Sequence, residues 1–110
     1  MKTIRLDTSA IVDWNTFHQT FAGTFGFPAF YGRNMNAWND CMTCLDDADA
    51  GMSSVTVEPG ELLLLDLGDV SDFERCRPEL FRAIVDGVAF VNWRRIDVGE
   101  PPVLVLSYHR

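Results

Sequence analysis

The sequence predicts an α/β fold, a small parallel sheet packed by helices, and three observations carry that expectation. The first is a pair of unbroken apolar runs. Leu62-Leu63-Leu64-Leu65 continues through Asp66 to Leu67, and Val103-Leu104-Val105-Leu106 repeats the pattern. Continuous runs of this length, bounded by Gly and Pro, are what strands covered on both faces look like. The second is the helical stripe between them: Leu80, Phe81, Ile84, Val88 and Val91 recur at 3–4 spacing after Pro78, an acceptable first-turn residue. The third is the alternation of Thr3-Ile4-Arg5-Leu6-Asp7, which reads as a half-covered first strand. Strands separated by helices imply a parallel arrangement, here with three strands. At 110 residues the chain is expected to be one domain, residues 1–110, around one core.

The elements follow in order. After a short connection over Thr8–Ile11, Asp13 or Asn15 is placed to cap a helix running to about Phe25. Its predicted buried face is Trp14, Phe17, Phe21 and Phe25, with His18 beside it as a structural hydrogen-bonder. Gly26-Phe27-Pro28 stops the helix, because proline disfavours helical geometry in the residue before it. Gly32 then supplies a turn, and Asn34 is placed as the N-cap of a second helix. Met35, Trp38, Met42 and Leu45 fall at i, i+3, i+7 and i+10, an apolar stripe that must face a core. The opposite side carries Asn36, Asp40, Thr43 and Asp47, with Asn39 beside them. Asn and Asp are mediocre helix formers, and this stripe is either a solvated face or a polar recognition surface held rigid from beneath. Asp46–Pro59 is an acidic loop in which Val55-Thr56-Val57 reads as a short strand-like piece. Ser71-x-x-Glu74 matches a capping box opening a short helix. Glu100-Pro101-Pro102 breaks the chain before the last strand.

Composition excludes several classes of function. No segment has the length and hydropathy of a membrane span or a secretory leader, so a cytoplasmic location is the expectation and no membrane partner is implied. Three cysteines, an odd number, fit a reducing compartment better than a disulfide scaffold. The net charge is −7, and its placement is uneven: ten acids and no Lys or Arg lie between Asn34 and Glu74, against six acids and nine basic residues elsewhere. That asymmetry points to a basic protein partner and away from nucleic acid, which would want a basic surface.

Catalytic machinery is not visible. Cys41-Met42-Thr43-Cys44 is a C-x-x-C, but a thioredoxin-type pair begins its helix, whereas this one sits inside a helix starting near Asn34. Cys76, His18 and His109 are too scattered to complete a zinc site. No nucleophile elbow, phosphate-cradling glycine loop or assignable carboxylate pair is present. The expectation is a binding protein without metal or cofactor.

Three stretches together resemble the barstar family of intracellular ribonuclease inhibitors: Phe17-His18-Gln19-Thr20-Phe21, then Phe27-Pro28, then the run from Phe30-Tyr31-Gly32 through Asn34 to Asp40-Cys41-Met42-Thr43. The resemblance is carried by roughly residues 14–45. It implies a three-stranded parallel sheet packed by helices. It also implies that the second helix and the turn before it plug the basic active-site cleft of a small secreted ribonuclease or nuclease toxin, with a monomer as the expected state. Asp40 matches the family carboxylate that occupies the RNA phosphate position. Phe30, Gly32, Asn34, Met35 and Thr43 match other residues of the family's contact surface, and Asn36 and Asn39 stand at two further contact positions. There are departures. Asn36 replaces an aspartate, Asn39 a tryptophan and Leu45 another aromatic, while Ala83 stands in for a later glutamate that pairs with the enzyme. These imply poor affinity for the ribonuclease that the best-known members inhibit, and a different cognate enzyme. The alternative reading is a non-catalytic interaction module that keeps the fold and binds a basic partner other than a nuclease.

Overall fold

The computed structural model describes residues 1–110. Strands β1 (Lys2–Arg5), β2 (Leu63–Asp69) and β3 (Leu104–His109) form one parallel sheet in the order β1-β2-β3. In register, Ile4, Leu65 and Leu106 lie side by side across the three strands. The central strand is the most apolar, as a strand with two neighbours and covered faces should be. Its far end is bulged: the pairing with β3 shifts between Asp66 and Asp69. Gly68 takes φ +65° there, and the Asp66 carboxylate accepts its N–H at 2.9 Å.

Four α-helices cover the sheet. Helix α1 (Trp14–Phe25) begins with Asp13, whose carboxylate accepts the Thr16 N–H, and ends at Gly26 in the left-handed conformation. Its buried face is Phe17, His18, Phe21 and Phe25. Trp14 differs from expectation: it lies in the first turn, beyond the edge of the core, and is 45% exposed while packing on Phe17 and His18. Helix α2 (Met35–Thr43) is capped by Asn34, and Trp38 and Met42, with Leu45 beyond its end, are fully buried as the spacing requires. Helix α4 (Pro78–Asp97) buries Leu80, Phe81, Ile84, Val88 and Val91 and lies against α2, the short α3 (Ser71–Cys76) and β3.

Two local expectations are corrected. Val55-Thr56-Val57 forms no strand. Its neighbourhood is spent on the open carbonyls at the end of α1: the N–H groups of Ser54 and Val55 and the Ser53 hydroxyl all donate to Phe25 O. Ser71 is not a helix cap. The bulged β2 runs on to Asp69, the Val70 N–H donates to His109 O at 2.8 Å, and α3 (Ser71–Cys76) therefore starts with Ser71 already inside it. Glu74, freed from any capping role, pairs with Arg110.

Candidate functional site

The surface marked out by the sequence is built from the 28–34 turn and the outer face of α2. The turn is fixed from two sides. Tyr31 and buried His18 share a 2.6 Å hydrogen bond between the phenol oxygen and Nδ1, which bears out the structural role expected of His18. Burial, with the nearby Arg33 charge second, holds the His18 pKa below the usual histidine range. Arg33 donates Nη2 to the backbone and side-chain oxygens of Asn15 at 2.9 and 2.6 Å, tying the turn to the start of α1. Arg33 also carries the turn's left-handed residue, φ +53°, rather than Gly32. Gly32 serves a different need: a Cβ there would lie 3.3 Å from the Asn34 side-chain amide and 3.5 Å from Ala37 Cβ, so the turn packs closely on the capped helix.

The predicted contact residues divide into two groups. Phe30 (75% exposed), Gly32, Asn36 and Asp40 (59% exposed side chain) reach the surface. Phe30, Gly32, Ala37, Asp40 and Met52 line a shallow groove of about 270 Å³ between turn and helix. The others are largely committed to the fold. Asn34, though exposed, spends its side-chain Oδ1 on the Ala37 N–H at 2.8 Å. Met35 is half-buried against the core. Asn39 Oδ1 is buried with no hydrogen-bond partner in the chain. The Thr43 hydroxyl donates to Asn39 O at 2.6 Å and accepts from Arg94 Nε at 2.9 Å.

Arg94 is the residue that sequence reasoning missed. From α4 it donates Nη2 to Asp40 Oδ1 at 2.8 Å, and its guanidinium lies 5.6 Å from the Phe90 ring centroid. Phe90 and Trp93, 41% and 59% exposed, form a tilted pair beside it. The sequence signal was there: Phe90, Trp93 and Arg94 fall off the Leu80–Val91 stripe, so two large aromatics had to face outward. Ala83, by contrast, packs against the core and is not the α4 residue beside Asp40.

The acidic stretch also looks different once folded. Six of its ten acids are ion-paired: Asp40 with Arg94, Asp46 with Arg95, Asp66 with Arg5, Asp72 with Arg75, Glu74 with Arg110, and Glu61 with the terminal ammonium. Asp46 is the most deeply used. Arg95, 4% exposed, clamps both its oxygens at 3.0 and 2.7 Å, donates to Thr43 O at the end of α2, and donates to Pro101 O. Those hydrogen bonds hold the Asp46 carboxyl below the usual carboxylate range despite its burial. The four without an ion pair, Asp47, Asp49, Glu58 and Asp69, are exposed, the first two in the loop just after α2.

The C-x-x-C spans the last turn of α2, with Cys44 as its C-cap, and so does not begin a helix. Burial, and then the Asp40 charge, pushes the Cys41 thiol up to about 11, and burial raises Cys44 as well. Both are protonated at neutral pH, the opposite of a redox nucleophile. No group of three His, Cys, Asp or Glu side chains is arranged to hold a metal ion, and no helix is long and apolar enough to cross a membrane.

No match to the chain is found among curated proteins. The sequence model of one family, described as barstar (barnase inhibitor), matches residues 1–101, every element described above except β3. By that match, which spans most of its length, this chain belongs to the barstar family, and its three-stranded parallel sheet is consistent with it.

Proposed function

We propose that the chain is an immunity protein that binds and blocks the basic active-site cleft of a small ribonuclease or nuclease-type toxin, using the Phe30 turn and the polar face of α2. The observation that carries this reading is Asp40. It is the one charged side chain on α2, more than half exposed, and it projects beside exposed Phe30 from a helix pinned on the other side by Trp38. Membership of a family of barnase inhibitors supports a nuclease as the partner and inhibition as the outcome. A carboxylate held rigidly at an exposed helix position suits the phosphate site of a cleft built to hold RNA, because its position is set in advance by the fold.

On this reading the chain is not an enzyme, needs no cofactor, and acts in the cytoplasm of the cell it protects. The contact surface is Phe30, Gly32, Asn36 and Asp40 at its centre, with Asn34, Met35, Asn39 and Thr43 acting mainly by shaping it. The test is a pull-down from the producing cells followed by an RNA-cleavage assay on the retained protein, with barnase as a comparison enzyme. Stoichiometric loss of cleavage on adding this chain is expected. A retained partner that does not cleave RNA overturns the reading in favour of a non-nuclease interaction module.

A further inference from the structure

Asp40 does not stand free in the unbound chain. Arg94 holds one of its oxygens at 2.8 Å, and is itself held by its Nε bond to Thr43 Oγ1 and by the Phe90 ring. Asp40 Oδ2 makes no hydrogen bond within the chain, and the Arg94 side chain is 31% exposed. The site therefore pairs a half-used carboxylate with a half-buried cation, and the local charge at the α2–α4 seam is close to neutral.

Resting on the reading of Asp40 as the group that enters a basic cleft, we propose that Arg94 is an internal competitor for that carboxylate. In the free chain it takes the place of the partner's cation, and it thereby selects which cations can bind. A single ammonium approaching Oδ2 meets the Arg94 charge a few ångströms away, so attraction and repulsion nearly cancel. A guanidinium that engages both carboxylate oxygens gains two charge-assisted bonds in place of the one Arg94 makes. The partner selected is one that presents an arginine, or two converging cations, at the Asp40 position; a lone lysine is rejected.

Displacement also has a destination. Arg94 lines a cleft of about 620 Å³ together with Asp47 and Asp97, neither of which has an ion-pair partner. The Phe90 ring, with Trp93 beside it, stays 5.6 Å from the guanidinium in the resting position. Swinging away from Asp40 into this cleft brings the guanidinium towards two carboxylates without ion-pair partners, which is favourable for a cation. The unpaired acids then gain a role that they lack in the resting chain, where the Phe90 ring alone already attends the guanidinium.

The experiment needs no ribonuclease. Hexa-arginine and hexalysine peptides are titrated at low salt into the parent, Arg94→Gln, and Arg94→Gln/Asp40→Asn, with NMR read at the Asp40 carboxylate carbon and, in the parent, at the Arg94 Nε–H. The expected result is a half-saturation in Arg94→Gln at about two- to fivefold less hexa-arginine than in the parent, the size set by an ion pair this exposed. The preference for arginine over lysine narrows in the same variant, hexa-arginine releases the Arg94 Nε–H signal in the parent, and the double variant, read at the side-chain amide of position 40, shows no site-specific response. An unchanged or weaker midpoint in Arg94→Gln overturns the proposal, since Arg94 would then be indifferent or would position Asp40 instead. If ribonuclease inhibition fails while the peptide midpoint moves as expected, the nuclease reading falls and the competitor stands.

Discussion

Gly87→Ala should destabilise this protein although it lies mid-helix, where alanine is ordinarily the better residue. A Cβ at position 87 would sit 2.7 Å from Trp38 Cζ3, 3.2 Å from Cη2 and 3.3 Å from Met35 Cε. Carbon pairs prefer about 3.5–4.0 Å, so the methyl overlaps the indole by about 1 Å. Trp38 is fully buried with Phe21 packed edge-on against it at 5.5 Å, and has no room to retreat. Overpacking of this kind costs about 1–3 kcal/mol, while exchanging Gly for Ala in a helix returns about 1 kcal/mol. The balance is a loss of about 1 kcal/mol, or about 4–8 °C in Tm for a domain of this size. Gly23→Ala is the control: it lies inside α1 with nothing within 4 Å of the added Cβ, so only the helix gain applies and stability should rise by about 0.5–1 kcal/mol. Urea unfolding of both variants reads the difference directly. If Gly87→Ala stabilises as much as Gly23→Ala, α2 and α4 do not meet at Trp38 as described, and the seam that holds Asp40 against Arg94 is wrong with it.

Arg95→Met strands Asp46 in a largely buried site and should cost about 3–5 kcal/mol, the usual result of removing one partner of a buried pair, measured by urea unfolding. Because Arg95 keeps the folded Asp46 carboxyl low, its stabilisation is present above about pH 4 and is lost as pH falls through the folded pKa; Asp46→Asn should flatten that acid limb. His18 runs the other way in pH. Its folded pKa is depressed by burial, so the unfolded chain takes up a proton first, and stability should fall as pH drops below about 6.5; His18→Gln should remove that slope from a melting series between pH 7 and 5. Of the three free thiols, exposed Cys76 should react first with a thiol reagent, and buried Cys41 only on unfolding.

What could be read from the sequence was what local pattern decides. The α4 stripe, the Asn34 cap, the end of α1 at Gly26 and the buried run of β2 each follow from spacing or backbone chemistry within a few residues, and each is where it was expected; β3 is a strand as expected, but at the sheet edge it buries only Leu104 of its residues. The failures come from partners distant in sequence. Val55 reads as strand by composition, but its N–H is claimed by Phe25 O, thirty residues back. Ser71 reads as a cap, but the sheet extends through Asp69 and takes the position first. The charge count shows the limit most clearly. Ten acids in one stretch suggest an acidic surface, yet arginines from outside it, Arg5, Arg75, Arg94, Arg95 and Arg110, fold back onto five of them. The site was legible in the same uneven way: Asp40 and Phe30 were visible from the turn and helix, whereas Arg94 is 54 residues away and could be found only through the packing of α4 on α2.

The central claim is that Asp40 is the carboxylate that enters the partner's basic cleft, and one kinetic comparison tests it most directly. Asp40→Ala and Asp49→Ala are measured for association and dissociation against the ribonuclease retained by the parent, with thermal melts alongside. Truncating a desolvated charge at such an interface costs about 2 kcal/mol or more, a magnitude that rests on barnase–barstar itself and is borrowed from that pair. The expected result is therefore a complex of Asp40→Ala that dissociates about thirtyfold faster or more. Its melt should stay within about 1 kcal/mol of the parent, because the Arg94 pair it breaks is solvent-exposed. Asp49→Ala, a free exposed acid, should slow association and reduce its salt sensitivity while leaving dissociation almost unchanged. An Asp40→Ala complex as tight and as long-lived as the parent's would contradict the account and move the recognition surface off α2.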